Sequence, residues 1–182
     1  LVAHSDDETI GLGGTIAKHV LEGHSVYCKY FTDGVSSREE NKENQIAKLD
    51  REKSSILASK IIGFKWLENS NYPDNEMDSV PLLKIVKEIE KIKELIKPEI
   101  IYTHSPSDLN IDHRIITEST LTAFRPKAEE TFQEIRLFEV SSATDYGHKS
   151  ITDSFNPNLY IDISKTWEIK LKALKAYSNE MN

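Results

Sequence analysis

The 182-residue chain has a single cysteine, Cys28, which excludes an internal disulfide framework and fits a reducing compartment. It has no apolar run approaching the ~18 residues that a membrane helix needs. No cluster of Lys or Arg is dense enough to make a basic face, and the net charge is -7, which argues against nucleic acid as a partner. No secretory leader is visible. The chain opens on Leu1-Val2-Ala3 without a Met and stops just after a helical pattern, so we expect 1–182 to be one domain cut at its front, with a cut at its end left open. A cytoplasmic location is the expectation, with a targeting segment left open. Hydrophobic residues at 38% and charged residues at 29% are ordinary for a globular domain, and a chain of this size can bury a core unaided.

Strand-like and helix-like patterns alternate. Leu1–Ala3 reads as a strand stub, and residues 9–22 as a helix striped by Leu12, Ile16 and Val20 and ended by Gly23. Val26–Phe31 is β-rich and runs into Thr32-Asp33-Gly34. Ser37 with Glu40 predicts the cap of a long charged helix that turns Ile46, Leu49, Ile56, Leu57 and Ile61 inward and stops near Gly63. Phe64–Leu67 is a short strand. Leu82, Ile85, Val86, Ile89, Ile92 and Ile96 mark one helix face closed by Pro98. Strands at Glu99–Thr103, Glu134–Val140 and Leu159–Ile163, a helix from Asp112 to Phe124, and a last helix striped by Trp167, Leu171, Leu174 and Tyr177 complete the pattern. The alternation predicts an α/β fold, a doubly wound, mostly parallel Rossmann-like sheet with helices on both faces. Ligands bind such sheets outside the carboxyl ends of the strands.

Two polar clusters each follow a predicted strand. The first is His4-Ser5-Asp6-Asp7-Glu8. A catalytic zinc takes three ligands from His, Asp, Glu or Cys and keeps a position for water. At a strand-to-helix turn, the His4–Asp7 spacing can bring both side chains to one point, with Asp6 beside the metal to accept a proton. The competing reading is structural: Ser5 with Glu8 is a capping box, and acidic residues favour a helix N-terminus. Capping does not explain the histidine or two adjacent carboxylates, whose repulsion a cation would offset. The second cluster runs from Asp108 to His113. His113 can present a ring nitrogen, and Asp112 can orient a neighbour through a hydrogen bond. Alternatively Asp108, Asn110 and Asp112 are only turn and capping residues. Gly11-Leu12-Gly13-Gly14 lacks the Walker Lys-Ser/Thr and the full GxGxxG pattern, so we read it as close packing of a helix on the sheet. His104 ends a strand and can wall a site, and His148 lies in a loop that could fold over it. His19 and His24 are expected to be solvated, and Cys28 to be a small buried hydrophobe.

Together these clusters resemble the PIG-L / LmbE-like family of zinc-dependent N-acetylglucosaminyl deacetylases. The family's Ala-His-Pro-Asp-Asp-Glu is matched by Ala3–Glu8, with Ser5 in place of Pro. Its Gly-x-Gly-Gly-Thr is matched by Gly11–Thr15, its Thr-Asp-Gly by Thr32–Gly34, and its Asp-His by Asp112-His113. An Arg-Glu element stands at Arg51-Glu52, and Asn158–Ile163 with Lys170 and Tyr177 looks like the family's last strand and helix. The resemblance implies one Zn2+ held by His4, Asp7 and His113, Asp6 as general base, and Arg51 and Asp74 as substrate contacts. The residues themselves, apart from the resemblance, add His104, Asp108 and Asp112 as substrate contacts or supporting groups around the site. Asn110 stands where many members carry a His; it can donate to an oxyanion but cannot shuttle a proton. The activity implied is removal of the acetyl group from an N-acetylated sugar. A zinc hydrolase of other amides or esters, or a non-catalytic sugar-binding relative, are the competing readings. The partner expected is an N-acetyl sugar or its glycoconjugate, and a homo-oligomer is left open.

Overall fold

The computed structural model describes residues 1–32, 34, 42–128, 130–141, 143–147 and 153–177, with the backbone alone at 42–45 and 47. The Ser37–Glu40 cap, Asp33 and His148 lie outside the described residues. The fold is mixed α/β with short parallel strands, arranged in two compact units: one comprises Val2–Asp74 with Asn156–Asn182, the other Leu1 with Asn75–Phe155.

In the first unit, β1 (Tyr27–Cys28) pairs in parallel with β2 (Lys65–Trp66), and parallel bridges join Val2 to Tyr30 and Thr32 to Tyr72. Helix α1 (Asp7–Leu21) follows the opening bridge, and α2 (Lys42–Ile62) ends at Gly63 with φ +98°. Helix α5 (Trp167–Leu174) runs into a 3-10 turn at Lys175–Tyr177. The core joins Val2, Leu12, Ile16, Phe31, Ala58, Ile62, Phe64 and Ala173.

Three expectations are corrected here. Helix α2 does not bury its large apolar stripe: Ile46, Leu49, Ile56 and Leu57 are exposed, whereas Ser55, Ala58, Ser59 and Ile62 are buried. Small side chains admit close packing. The two serines satisfy themselves by donating to the carbonyls of Glu52 and Ile56, each at 2.9 Å, so burying them leaves no hydroxyl orphaned. Residues 159–163 form no strand; Leu159 and Tyr160 are exposed, and the alternating pattern has no ladder beside it. The glycines pack not on the sheet: Gly13 lies against Lys170 of α5 and Ile62 of α2, and Gly14 lies under this same tail. A Cβ on Gly14 would stand 2.6 Å from Ile163 Cδ1 and 2.9 Å from its Cβ, and Thr166 Oγ1 donates to the Gly14 carbonyl at 2.8 Å.

In the second unit, β3 (Ile100–His104) and β4 (Glu134–Phe138) pair in parallel with His104 opposite Phe138. Helix α3 (Leu82–Ile96) buries Ile85, Val86 and Ile89, then ends at Lys97, whose φ of 48° is left-handed, ahead of Pro98. The same face carries a buried Lys93, whose ammonium donates to the Ala123 carbonyl at 3.2 Å and pairs with Glu130. Helix α4 (Ile111–Ala123) packs on α3 and β3. Among the described residues no helix is long and apolar enough to cross a membrane.

Candidate metal centre

In the first unit, the chain leaves the bridge at Val2 and turns at once into α1. His4 stands at that turn, buried, with its backbone N–H donating to Asp7 Oδ2 at 2.9 Å. Its ring lies between two buried carboxylates: Nδ1 is 3.2 Å from Asp7 Oδ2 and Nε2 is 3.0 Å from Asp74 Oδ1. Two carboxylates against one imidazole carry excess negative charge in a poorly solvated place, which a bound dication would offset. The donors present, nitrogen and carboxylate oxygen, are those zinc accepts.

Asp6 occupies the N-cap position of α1 without a side-chain capping bond. Its carboxylate faces Arg51 at 3.0 Å instead, and Arg51 also donates to the Gly34 carbonyl at 3.1 Å. Burial pushes the Asp6 carboxyl above the usual value, against the pull of Arg51. The capping-box reading of Ser5 and Glu8 is overturned. Glu8 points into the interior, fully buried, accepting from Thr9 Oγ1 at 2.6 Å and from the Tyr177 hydroxyl at 3.3 Å. Burial, helped by the charges of Asp6 and Asp7, raises its carboxyl to about 8, so it is mostly protonated at neutral pH.

In the second unit, β3 delivers His104 and the start of α4 delivers His113, both buried. Their rings stack with centroids 3.8 Å apart and planes within 10°. The carboxylate beside His113 is that of Asp108, with Oδ2 2.9 Å from Nδ1. Asp108 is itself pinned: Thr144 Oγ1 donates to Oδ2 and the Asn110 N–H to Oδ1, each at 2.8 Å. Burial pushes the Asp108 carboxyl up, but these hydrogen bonds, His113's foremost, outweigh it and hold it below the usual range. An ionised Asp108 on Nδ1 favours the tautomer with its proton there, the tautomer in which a ligating histidine binds a metal through Nε2.

Asp112 is buried and takes the N–H groups of Asn75 at 2.7 Å and Met77 at 3.1 Å, so it anchors the loop before α3. Asn110 caps α4, accepting from the Asp112 N–H at 2.8 Å, and its amide donates to Asn75 Oδ1 at 3.0 Å. The structure thus groups His4, Asp6, Asp7, Arg51 and Asp74 in one unit, and His104, Asp108, Asn110, Asp112 and His113 in the other. Sequence reasoning missed Thr144 as the support of Asp108 and the Glu8–Tyr177 contact. Tyr177 was visible as one member of a helical stripe and in the resemblance of the last helix, neither of which pairs it with Glu8, and Thr144 carried no signal.

Residues 1–124 match the family described as PIG-L, GlcNAc-PI de-N-acetylase. The chain is 26% identical to the diacetylchitobiose deacetylase of Thermococcus kodakarensis, over 97% of this chain and 67% of that protein. Its fold resembles that of a deacetylase solved in complex with teicoplanin, with a TM-score of 0.79 at 14% identity, covering 100% of this chain and 86% of that one. It also resembles GalB, the 4-carboxy-2-hydroxymuconate hydratase of Pseudomonas putida KT2440, with a TM-score of 0.76 at 20% identity, covering 98% and 78%.

Proposed function

The chain belongs to the PIG-L family, and from that premise we propose that it is a zinc-dependent amidohydrolase that removes the acetyl group from an N-acetylated sugar, releasing acetate and a free amine. The resemblance to a diacetylchitobiose deacetylase supports the substrate class. The observation that carries the chemistry is the setting of His4, a histidine between two buried carboxylates on a turn that also holds Asp6. The proposal takes His4, Asp7 and His113 as the ligands of one Zn2+, on the doubly wound Rossmann-like architecture expected from the sequence. The free, buried Cys28 fits the cytoplasm as its location.

A bound zinc would supply Lewis acidity, lowering the pKa of water toward ~7 and polarising the amide carbonyl. Asp6 takes the proton from the attacking water, and its raised pKa brings it closer to the working pH, as a general base requires. Arg51 keeps Asp6 oriented and favours its ionised form, so we assign Arg51 a positioning role rather than a substrate contact. Asp74, beside His4 Nε2, is likewise assigned to the ligand's surroundings. Asn110 has a second amide hydrogen besides the one given to Asn75, and it donates to the oxyanion of the tetrahedral intermediate. Asp6 then returns its proton to the departing amine. Carbon–nitrogen cleavage thus uses one water, whose oxygen ends in acetate and whose protons end on the amine and the medium.

The same fold carries a hydratase, so the fold alone does not name the reaction. The test is acetate release by the zinc-loaded protein across N-acetylglucosamine conjugates, diacetylchitobiose, simple amides and esters. We expect release from the N-acetyl sugars, and its loss in Asp6→Asn with zinc content unchanged. Hydrolysis of simple amides or esters alone would refute the sugar assignment, and normal turnover by Asp6→Asn would refute the base.

A further inference from the structure

Helix α1 has a second polar cluster at its other end. The helix spans Asp7–Leu21, and at ~1.5 Å per residue its ends lie roughly 20 Å apart. The chain terminates α1 through Gly23, whose φ of 87° is left-handed, with the N–H groups of Glu22, Gly23 and His24 donating to the carbonyls of Lys18, Val20 and His19, each at 3.0 Å. This turn folds His24 back onto the last turn of the helix. There His24 Nδ1 lies 3.0 Å from His19 Nδ1, with ring centroids 5.2 Å apart and planes at 49°. Glu22 joins them: one nitrogen of each histidine and one Glu22 carboxylate oxygen lie within 4.8 Å of one another.

We propose that His19, Glu22 and His24 form a second metal site, for a borderline divalent ion such as Zn2+, Ni2+ or Cu2+. Imidazole and carboxylate suit these ions. Bonds of 2.0–2.1 Å in tetrahedral geometry put neighbouring ligand atoms ~3.3 Å apart, close to the spacing of the two Nδ1 atoms. The site is built by backbone bonds rather than by chance approach of two mobile side chains. The carbonyl end of α1 favours a cation there, and the exposure of Glu22 and His24 leaves the remaining positions to water. An ion here would tie the end of α1 to the turn leading into β1. A hydrogen bond between the two rings is the competing account, and only metal binding separates the two.

The experiment is equilibrium dialysis of the metal-stripped chain against micromolar Zn2+, with metal analysis, beside the double variant His19→Ala/His24→Ala and the single variant Glu22→Gln. The wild-type chain should hold one more equivalent of Zn2+ than the double variant. Loss of a supporting group near a metal costs 10–100-fold in affinity, so loss of the Glu22 ligand should weaken binding at least ~10-fold. Zinc should raise the Tm of the wild-type chain above that of the double variant. Acetate release should be unchanged in both variants. Equal zinc content in the wild-type chain and the double variant overturns the proposal. Because the reading is a difference, it holds whether or not the His4 region also binds zinc.

Discussion

Replacing Asp108 with Asn keeps the shape of a fully buried side chain and removes its charge. The variant Oδ1 can still accept from the Asn110 N–H, but the group facing His113 Nδ1 and Thr144 Oγ1, now at 2.9 and 2.8 Å from Oδ2, becomes a donor. Thr144 adapts by rotating its hydroxyl. His113 cannot keep its proton on Nδ1 against a donor, so the proton moves to Nε2, the nitrogen assigned to zinc. The same exchange at a catalytic triad selects the wrong tautomer. Outer partners of ligating histidines are worth 10–100-fold in metal affinity, which is ~1.4–2.7 kcal/mol. We therefore expect Asp108→Asn to raise the zinc dissociation constant by that factor, measured by chelator competition, with acetate release partly restored at high zinc. Thr144→Val leaves Asp108 charged and should cost about 1.5–3 kcal/mol of stability with a smaller effect on zinc. Unchanged zinc affinity in Asp108→Asn would sink the assignment of Nε2 as ligand and of Asp108 as its support.

Glu8 has a folded pKa raised from 4.5 to about 8. Its stabilising contribution is therefore full below the unfolded value and is lost as pH rises toward 8. In metal-free protein, Glu8→Gln keeps the Thr9 and Tyr177 bonds, so its Tm should gain on wild type between pH 5 and 8 in thermal melts; a constant gap would contradict the buried neutral acid. Gly14→Ala gains up to ~1 kcal/mol of helix propensity but drives a Cβ into Ile163, an overpacking cost of about 1–3 kcal/mol. Chemical denaturation should show a net loss that Ile163→Ala partly relieves, and a stabilised Gly14→Ala protein would be incompatible with this packing. Arg51→Gln removes the charge that lowers the Asp6 pKa, so the acid limb of kcat/KM should move to higher pH. An unmoved limb would separate Asp6 from the base role.

The helices were legible because their signals are local. Pro98 and the left-handed Lys97 close α3, and Gly63 closes α2, where the sequence pattern places them. The inward face of α2 was misjudged because hydrophobicity ranked Leu49 and Leu57 above Ser55 and Ser59, although the serines carry their own hydrogen bonds inward. The strand expected at residues 159–163 failed because alternation reports a side-chain pattern, whereas a strand requires a neighbouring backbone. His19 and His24 looked solvated as separate residues, and the turn at Gly23 brings them together.

Near-neighbour spacing alone determined that His4 and Asp7 share a turn, that Asn110 caps α4, and which residue types could ligate a metal, because each depends on backbone geometry over a few residues. Tertiary structure alone decided which carboxylate holds His113, that Arg51 rather than solvent faces Asp6, and that Glu8 turns inward to Tyr177, 169 positions away. Those pairings are set by which surfaces pack, and packing joins residues whose separation along the chain follows no period.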